Sequence, residues 1–153
     1  MSGASIVRPI VVLSAAAFAS VATMRVADPL IPQIAQELDV SFGDASVITT
    51  AFAISYGLFQ LVWGALGDRF GKYRLVALMT LLSAVTVALA GFASTLAALG
   101  AARLAAGATA AAIVPLALAF IGDHVAYEQR QTVLGRFLTG TILGIIAGQA
   151  GGG

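Results

Sequence analysis

The chain has 153 residues, of which 59% are hydrophobic and only 10% are charged, and its formal net charge is +1. Globular domains carry roughly 25% charged residues, so this chain lacks the polar surface of a soluble domain, and an integral membrane protein is predicted. It contains no cysteine, which excludes disulfides, thiol catalysis and cysteine-ligated metal sites. The near-neutral charge gives no indication of a nucleic-acid partner, and none is expected.

Apolar runs long enough to cross a bilayer follow one another along the chain, since a spanning helix needs about 20 mostly apolar residues. The runs cover approximately residues 9–27, 46–66, 75–94, 97–121 and 132–153, where the sequence stops. The alternation of period two that is typical of membrane β-barrels is absent. The predicted fold class is therefore an all-α membrane bundle of about five transmembrane helices with short connections.

The first run also has features of a signal peptide: Arg8 precedes an apolar stretch that ends in small residues near Ala22. The run is longer than a typical signal, and further spans follow it. A retained first transmembrane helix is therefore favoured.

The positions of Lys and Arg predict which ends of the helices face the cytoplasm. Outside the runs or at their edges, the basic residues are Arg8, Arg69, Lys72, Arg74, Arg130 and Arg136. All of them fall on one side of the predicted membrane, and the connection after the first run is acidic instead, with Glu37, Asp39 and Asp44. We expect a multi-pass protein of the cell membrane with a cytoplasmic N-terminus.

The end of the first run holds a pair of opposite charges, Arg25 and Asp28. They are three residues apart and so share one face of a helix, where they can neutralise each other. Asp28 is a candidate proton carrier, and the alternative is an ion pair at the outer interface with no role in transport. Pro29 and Pro32 are expected to kink or end the helix.

The second run contains polar side chains near its middle and towards its end, Ser55, Tyr56 and Gln60. Polar groups among apolar walls suit a cavity for an amphipathic molecule, so all three are candidates for lining one. Ordinary hydrogen bonds between helices explain each of them equally well.

The connection between the second and third runs is charged and rich in glycine. Asp68 faces the negative end of the helix dipole, which is unfavourable, so we expect it to have a cation or another helix N-terminus as a partner. Gly64 and Gly67 would allow another backbone to approach, and Gly71 suits a turn with positive φ. Arg74, like Lys72, holds this connection in the cytoplasm and can contact anionic lipid; a plain cytoplasmic loop is the alternative.

The fourth run encloses Arg103, and a charge within a span is costly unless it is paired or hydrated. Arg103 is therefore a functional candidate, with an arginine that extends to the outer interface as the alternative. Pro115 predicts a kink, and the helix is expected to end at Gly122, with Asp123 as a possible cap. In the fifth run, glycines at a spacing of four residues, from Gly140 to Gly152, predict close packing against another helix.

The stretch 63–74 resembles the signature G-x-L-x-D-R-x-G-[RK] of the major facilitator superfamily. The matching residues are Gly64, Leu66, Asp68, Arg69, Gly71 and Lys72. In that family this loop belongs to the cytoplasmic gate, where its aspartate is held against the C-terminal half of the transporter. The resemblance implies that these charges, together with Arg74, act as a latch between two moving halves.

Two further stretches resemble the same family. Arg103, Gly107 and Ala111 match its R-x-x-x-G-x-x-x-A pattern, whose arginine is implicated in proton coupling. The antiporter pattern G-x8-G-x3-G-P-x-x-G-G is matched at Gly135, Gly144, Gly148, Gly152 and Gly153. Gln149 stands where that pattern has proline, so the associated helix bend is not implied here. The first-helix stretch around Arg25 and Asp28 also resembles the family.

The resemblance covers the first third of such a transporter. It implies proton-coupled efflux of small amphipathic molecules by alternating access, with a proton gradient as energy source and no cofactor. We expect the chain to be a fragment that lacks the C-terminal half of the transporter. The alternatives are a transporter of a sugar or other metabolite, and a truncated membrane protein that does not transport but packs against a partner through the glycine ridge. We expect no enzyme activity, because the sequence contains no nucleophile–base set, metal cluster or phosphate-binding loop.

Overall fold

The computed structural model describes residues 3–152, and within this range every regular element is an α-helix. The eight helices are α1 (Gly3–Arg25), α2 (Ala27–Glu37), α3 (Phe42–Ala45), α4 (Val47–Phe70), α5 (Lys72–Ala90), α6 (Leu96–Ala110), α7 (Ile113–His124) and α8 (Tyr127–Gly151).

These helices form five segments long and apolar enough to cross a membrane. The segments are Val7–Glu37, Phe42–Phe70, Lys72–Ala90, Leu96–His124 and Tyr127–Gly151. The predicted fold class, an all-α membrane bundle of about five spanning helices, is confirmed.

The first segment extends ten residues beyond its predicted end at residue 27. The helix is interrupted only at Val26 and resumes as α2, which contains both Pro29 and Pro32. Pro29 has no N–H to donate to the carbonyl of Arg25, four residues earlier, and α1 ends at that residue. Pro29 itself lies in the first turn of α2, where a missing N–H costs little. The prolines therefore interrupt the helix without ending the segment.

The fourth segment is interrupted in the same way, at Ala111 and Ala112 between α6 and α7. The carbonyl that Pro115 leaves without a donor is that of Ala111, so the predicted kink lies one turn before the proline. The helix then continues to His124 instead of ending at Gly122. Asp123 is thus inside the last turn and caps no helix.

The other segments also differ from the apolar runs at their ends. The second reaches Phe70, the third begins at Lys72 and ends at Ala90, and the fifth begins at Tyr127 instead of near residue 132. Hydropathy locates the part of a helix that fits the hydrocarbon core. Backbone hydrogen bonding continues past that part into polar residues, so the helices are longer than most of the apolar runs.

The packing divides into two parts. The larger core joins α1, α5, α7 and α8 around fully buried side chains such as Leu13, Ile113 and Phe137. The smaller core joins α4 to α6 through Phe52, Ala106 and Ala110. Many large apolar side chains point outward, as expected of a protein whose solvent is lipid.

The antiparallel course of the five segments places their connections at two ends. We call the end with the connections at residues 71 and 125–126 the basic end, because it carries Arg69, Lys72, Arg74 and Arg130. We call the end with the connections at residues 38–41 and 91–95 the acidic end, after Glu37, Asp39 and Asp44.

Candidate functional site

Gly71 makes the turn at the basic end that joins α4 to α5. Its φ of 92° and ψ of 119° lie in a region that residues with a Cβ rarely adopt. Its N–H donates to the carbonyl of Gly67 at 3.0 Å, and its own carbonyl accepts from the N–H of Leu75 at 3.1 Å. The turn therefore joins two long helices with a single residue between them.

Lys72, the first residue of α5, holds two carboxylates at the basic end. Its Nζ lies 2.7 Å from an oxygen of Asp68 and 2.7 Å from an oxygen of Asp123. The partner of Asp68 is thus a cation, as the dipole argument requires. Because Asp123 lies at the end of α7, Lys72 connects the α4–α5 turn to the fourth segment. The sequence indicated Asp123 only as a cap, and no local pattern pairs it with a lysine 51 residues away.

The other residues of the gate motif have different surroundings. Leu66 packs against the larger core. A Cβ at Gly64 would meet nothing within 4 Å, whereas one at Gly67 would overlap the side chain of Leu116. Close approach therefore occurs at Gly67 and, within the described residues, not at Gly64. Arg69 is exposed, with its guanidinium 5.5 Å from the ring of Phe70.

Arg74 is exposed at the basic end, one turn into α5. It lies in the lining of a shallow cavity that also includes Asp68, Lys72 and Asp123. The basic and acidic groups of the motif are therefore concentrated at one place.

Arg103 is buried inside the bundle, with only 5% of its surface exposed. Its two terminal nitrogens donate to the carbonyls of Thr23, at 3.3 Å, and Met24, at 3.4 Å. The guanidinium carbon lies 4.5 Å from the centre of the Phe52 ring, a cation–π contact. Arg103 thus lies against α1 and α4 and does not extend to the outer interface.

Arg25 and Asp28 contact each other across the interruption between α1 and α2, at 3.5 Å between Nη1 and Oδ2. Their side chains are 41% and 34% exposed. The carbonyls that Arg103 contacts belong to the two residues directly before Arg25. Asp28, its partner Arg25 and Arg103, which together are our candidates for proton coupling, therefore lie around one turn of the first segment.

The polar residues of α4 take three different positions. Ser55 is buried and donates to the carbonyl of Leu104 at 2.6 Å, so its hydroxyl holds α4 against α6. Tyr56 is half-buried, and its ring stacks on that of Phe52 at 5.8 Å. Gln60 is exposed. Trp63, which the sequence did not single out, makes a second hydrogen bond to α6, from Nε1 to the carbonyl of Ala108 at 2.6 Å.

The glycines of α8 lie against α1. A Cβ at Gly144 would lie 2.6 Å from the carbonyl oxygen of Phe18, and one at Gly148 would overlap the carbonyl oxygen of Ala22. Gly152 approaches Val26 in the same manner, whereas Gly135 has open space around it. The ridge therefore packs within the chain.

The end of the glycine motif departs from the family pattern in the expected place. Gln149 is exposed and continues α8, which runs without interruption to Gly151. Glutamine has the backbone N–H that a proline lacks, so the helical hydrogen bonding is maintained there. Gly153 lies outside the described residues.

Comparison with known proteins gives a consistent result. A family model described as Major Facilitator Superfamily matches residues 13–153. The chain is 31% identical over 134 residues to the multidrug export protein EmrB of Haemophilus influenzae, covering 88% of this chain and 26% of that protein. It is 34% identical over 140 residues to the putative uncharacterized transporter YgaY of Escherichia coli, covering 90% and 34%.

A further relative, multidrug resistance protein 1 of Bacillus subtilis, is 30% identical over 125 residues, covering 82% of this chain and 32% of that protein. The chain thus spans about a quarter to a third of the length of these curated relatives. The family match includes all the motifs described above and nearly the whole sequence. The chain therefore belongs to the major facilitator superfamily.

Proposed function

We propose that this chain is the N-terminal part of a secondary active transporter that exports small amphipathic molecules in exchange for protons. Its family consists of membrane transporters, and two of its relatives are named a multidrug export protein and a multidrug resistance protein. These names support the export of drug-like molecules over the uptake of sugars. The proposal places the N-terminus and the basic end in the cytoplasm, in accordance with the positions of Lys and Arg.

The observation that carries the proposal is the buried charge of Arg103. An arginine at 5% exposure within a membrane segment is costly unless it is paired or hydrated, and such residues are by default functional candidates. It bonds the carbonyls of Thr23 and Met24, directly before the Arg25–Asp28 pair. A proton on Asp28 would remove its attraction to Arg25 and alter the field at Arg103. Protonation would thus change the contact between the first and fourth segments.

The proposed role of the Lys72 cluster is to form one side of a cytoplasmic gate. Lys72 connects Asp68 and Asp123 through two contacts of 2.7 Å, which fixes the α4–α5 turn to the end of α7. In alternating access, two halves of a transporter rock around a central site. A second half with its own charged groups would bind to and release this cluster during the cycle. Such a half lies outside the part of the relatives that this chain spans.

A transport assay in everted membrane vesicles that contain the full-length parent transporter tests the proposal. Respiration acidifies the vesicle interior, so an exporter should accumulate an amphipathic fluorescent cation in exchange for internal protons. We expect accumulation that needs respiration and collapses with a protonophore. Accumulation that survives the protonophore would contradict proton coupling. Uptake of a labelled sugar without transport of the dye would favour the metabolite transporter instead.

The alternative of a membrane protein that packs against a partner through its glycine ridge has less support. Gly144, Gly148 and Gly152 already lie against Phe18, Ala22 and Val26 of the same chain. The expectation that the chain has no enzyme activity stays a prediction. Residues 3–152 contain no group of three or more histidine, cysteine or acidic side chains that could hold a metal ion.

A further inference from the structure

A cavity of 330 Å³ lies between α2, α4, α5 and α6 towards the acidic end. Its wall is mainly apolar, with side chains such as Leu30, Ile48 and Val87. Two charged residues also line it, Arg103 and Glu37. Its volume falls at the lower limit of pockets that bind small molecules, about 300–1,000 Å³.

Arg103 supplies a positive charge that no carboxylate of the described residues contacts. Its two hydrogen bonds to carbonyls, at 3.3 and 3.4 Å, are longer than the usual 2.7–3.2 Å or so. Its Nε has no hydrogen-bond partner, and no carboxylate of residues 3–152 comes within 4.0 Å of the guanidinium. A carboxylate is the group that satisfies a guanidinium best, through two parallel hydrogen bonds.

Glu37 supplies a negative charge at the opposite end of the cavity. It is exposed at the end of α2, where it accepts a hydrogen bond of 2.7 Å from Gln33. A helix rises about 1.5 Å per residue, so Glu37 lies roughly 16 Å along α2 from Val26, which lines the cavity near Arg103. The cavity is therefore elongated, with a positive inner end, a negative mouth and apolar walls between them.

We propose that this cavity binds an elongated zwitterion with an apolar middle: its carboxylate contacts Arg103, its alkyl chain lies along the apolar walls, and its ammonium group faces Glu37. A simple carboxylate would leave Glu37 beside an alkyl end, and a simple amine would leave Arg103 without an anion. The charges at both ends therefore select an ω-amino carboxylate over either single-headed molecule.

A competition experiment tests the inference on the intact protein in lipid nanodiscs. The probe is tritiated 8-aminooctanoate in a scintillation proximity assay, with unlabelled 8-aminooctanoate, octanoate and octylamine as competitors. We expect 8-aminooctanoate to compete at a concentration at least tenfold lower than octylamine, which lacks the carboxylate for the buried Arg103. Relative to octanoate, which lacks only the ammonium group that faces the exposed Glu37, we expect a concentration about two- to fivefold lower. If octanoate competed equally well, the proposed contact between the ammonium group and Glu37 would be wrong. If octylamine competed equally well, the proposed contact between the carboxylate and Arg103 would be wrong. Absence of saturable binding would overturn the inference as a whole.

Variants locate the bound molecule. Glu37→Gln should weaken the binding of 8-aminooctanoate about two- to fivefold, the range expected of an exposed ion pair. The affinity for octanoate should not change. Ala90→Phe should abolish binding because Ala90 lines the cavity. Ala98→Phe is the matched control, since Ala98 is exposed at the same end and is not in the cavity lining. Wild-type affinity in both Glu37→Gln and Ala90→Phe would place the molecule elsewhere and overturn the inference.

This experiment does not depend on the proposed export. Binding is measured without a proton gradient and without transport, so loss of the efflux proposal would leave the result unaffected. Glu37 is exposed, and its replacement by glutamine removes only a charge, so Glu37→Gln remains informative even if Ala90→Phe fails to fold.

Discussion

The contact between α1 and α8 should depend on the absence of a single methyl group at Gly148. A Cβ there would overlap the carbonyl oxygen of Ala22 and lie 2.9 Å from its Cα. Both atoms belong to a helix backbone, which cannot rotate away as a side chain can. Gly148→Ala should therefore force the two helices apart, a case of overpacking that typically costs about 1–3 kcal/mol.

Gly140→Ala is the matched control for this substitution. Gly140 lies on the same face of α8, two turns earlier, and a Cβ there would meet Ser14 at 3.8 Å, an ordinary contact. Both substitutions gain the same helix propensity, about 1 kcal/mol for Gly to Ala. The difference in stability between the two variants therefore isolates the steric term.

Reversible unfolding in mixed micelles, by titration of SDS and with helicity as the signal, measures the free energy of unfolding of each variant. We expect Gly148→Ala to be less stable than Gly140→Ala by about 1–3 kcal/mol. Equal stability to within about 0.5 kcal/mol would show that α1 and α8 do not pack at this distance, and would refute the reasoning.

Three further variants test the candidate site, and the first two are made in the full-length parent transporter. Asp68→Asn should impair transport in vesicles while leaving membrane insertion intact, and unaltered transport would remove the argument for a gate. Arg103→Ala should abolish proton-driven transport of the amphipathic dye more than it weakens dye binding measured without a gradient; equal loss of both would indicate a structural role. Gly71→Ala should lower the free energy of unfolding by about 1–3 kcal/mol, because the turn has a φ of 92°. The same SDS titration measures this effect, and unchanged stability would contradict the strained turn.

Local sequence features predicted the membrane-spanning segments of this protein and the main turns and interruptions of its helices. Hydropathy located the five segments, because the thickness of a bilayer sets the length of an apolar run. Pro115 and Gly71 marked an interruption and a turn through their own backbone constraints, and both occur in the structure. The ends of the helices were less predictable, since a helix continues into polar residues wherever its backbone hydrogen bonds can form.

The partners of the functional candidates could not be predicted in the same way. The bonds from Arg103 to Thr23 and Met24 span 79 to 80 residues, and the contact between Lys72 and Asp123 spans 51. Ser55 was a candidate either for lining a cavity or for a hydrogen bond between helices, and the structure shows its hydrogen bond to α6. No spacing rule along one helix relates residues on different helices.

The sequence by itself determined that the chain is a bundle of membrane helices and where its backbone turns or breaks. Only the tertiary structure decided which helices pack together and that Arg103 lies inside the bundle. It also decided that Gly148 lies against α1, whereas a Cβ at Gly64 would meet no atom of the described residues within 4 Å. The physical reason is that lipid is as apolar as the interior of the protein. Hydropathy is therefore high on all sides of such helices and cannot distinguish their packed faces from their lipid-facing ones.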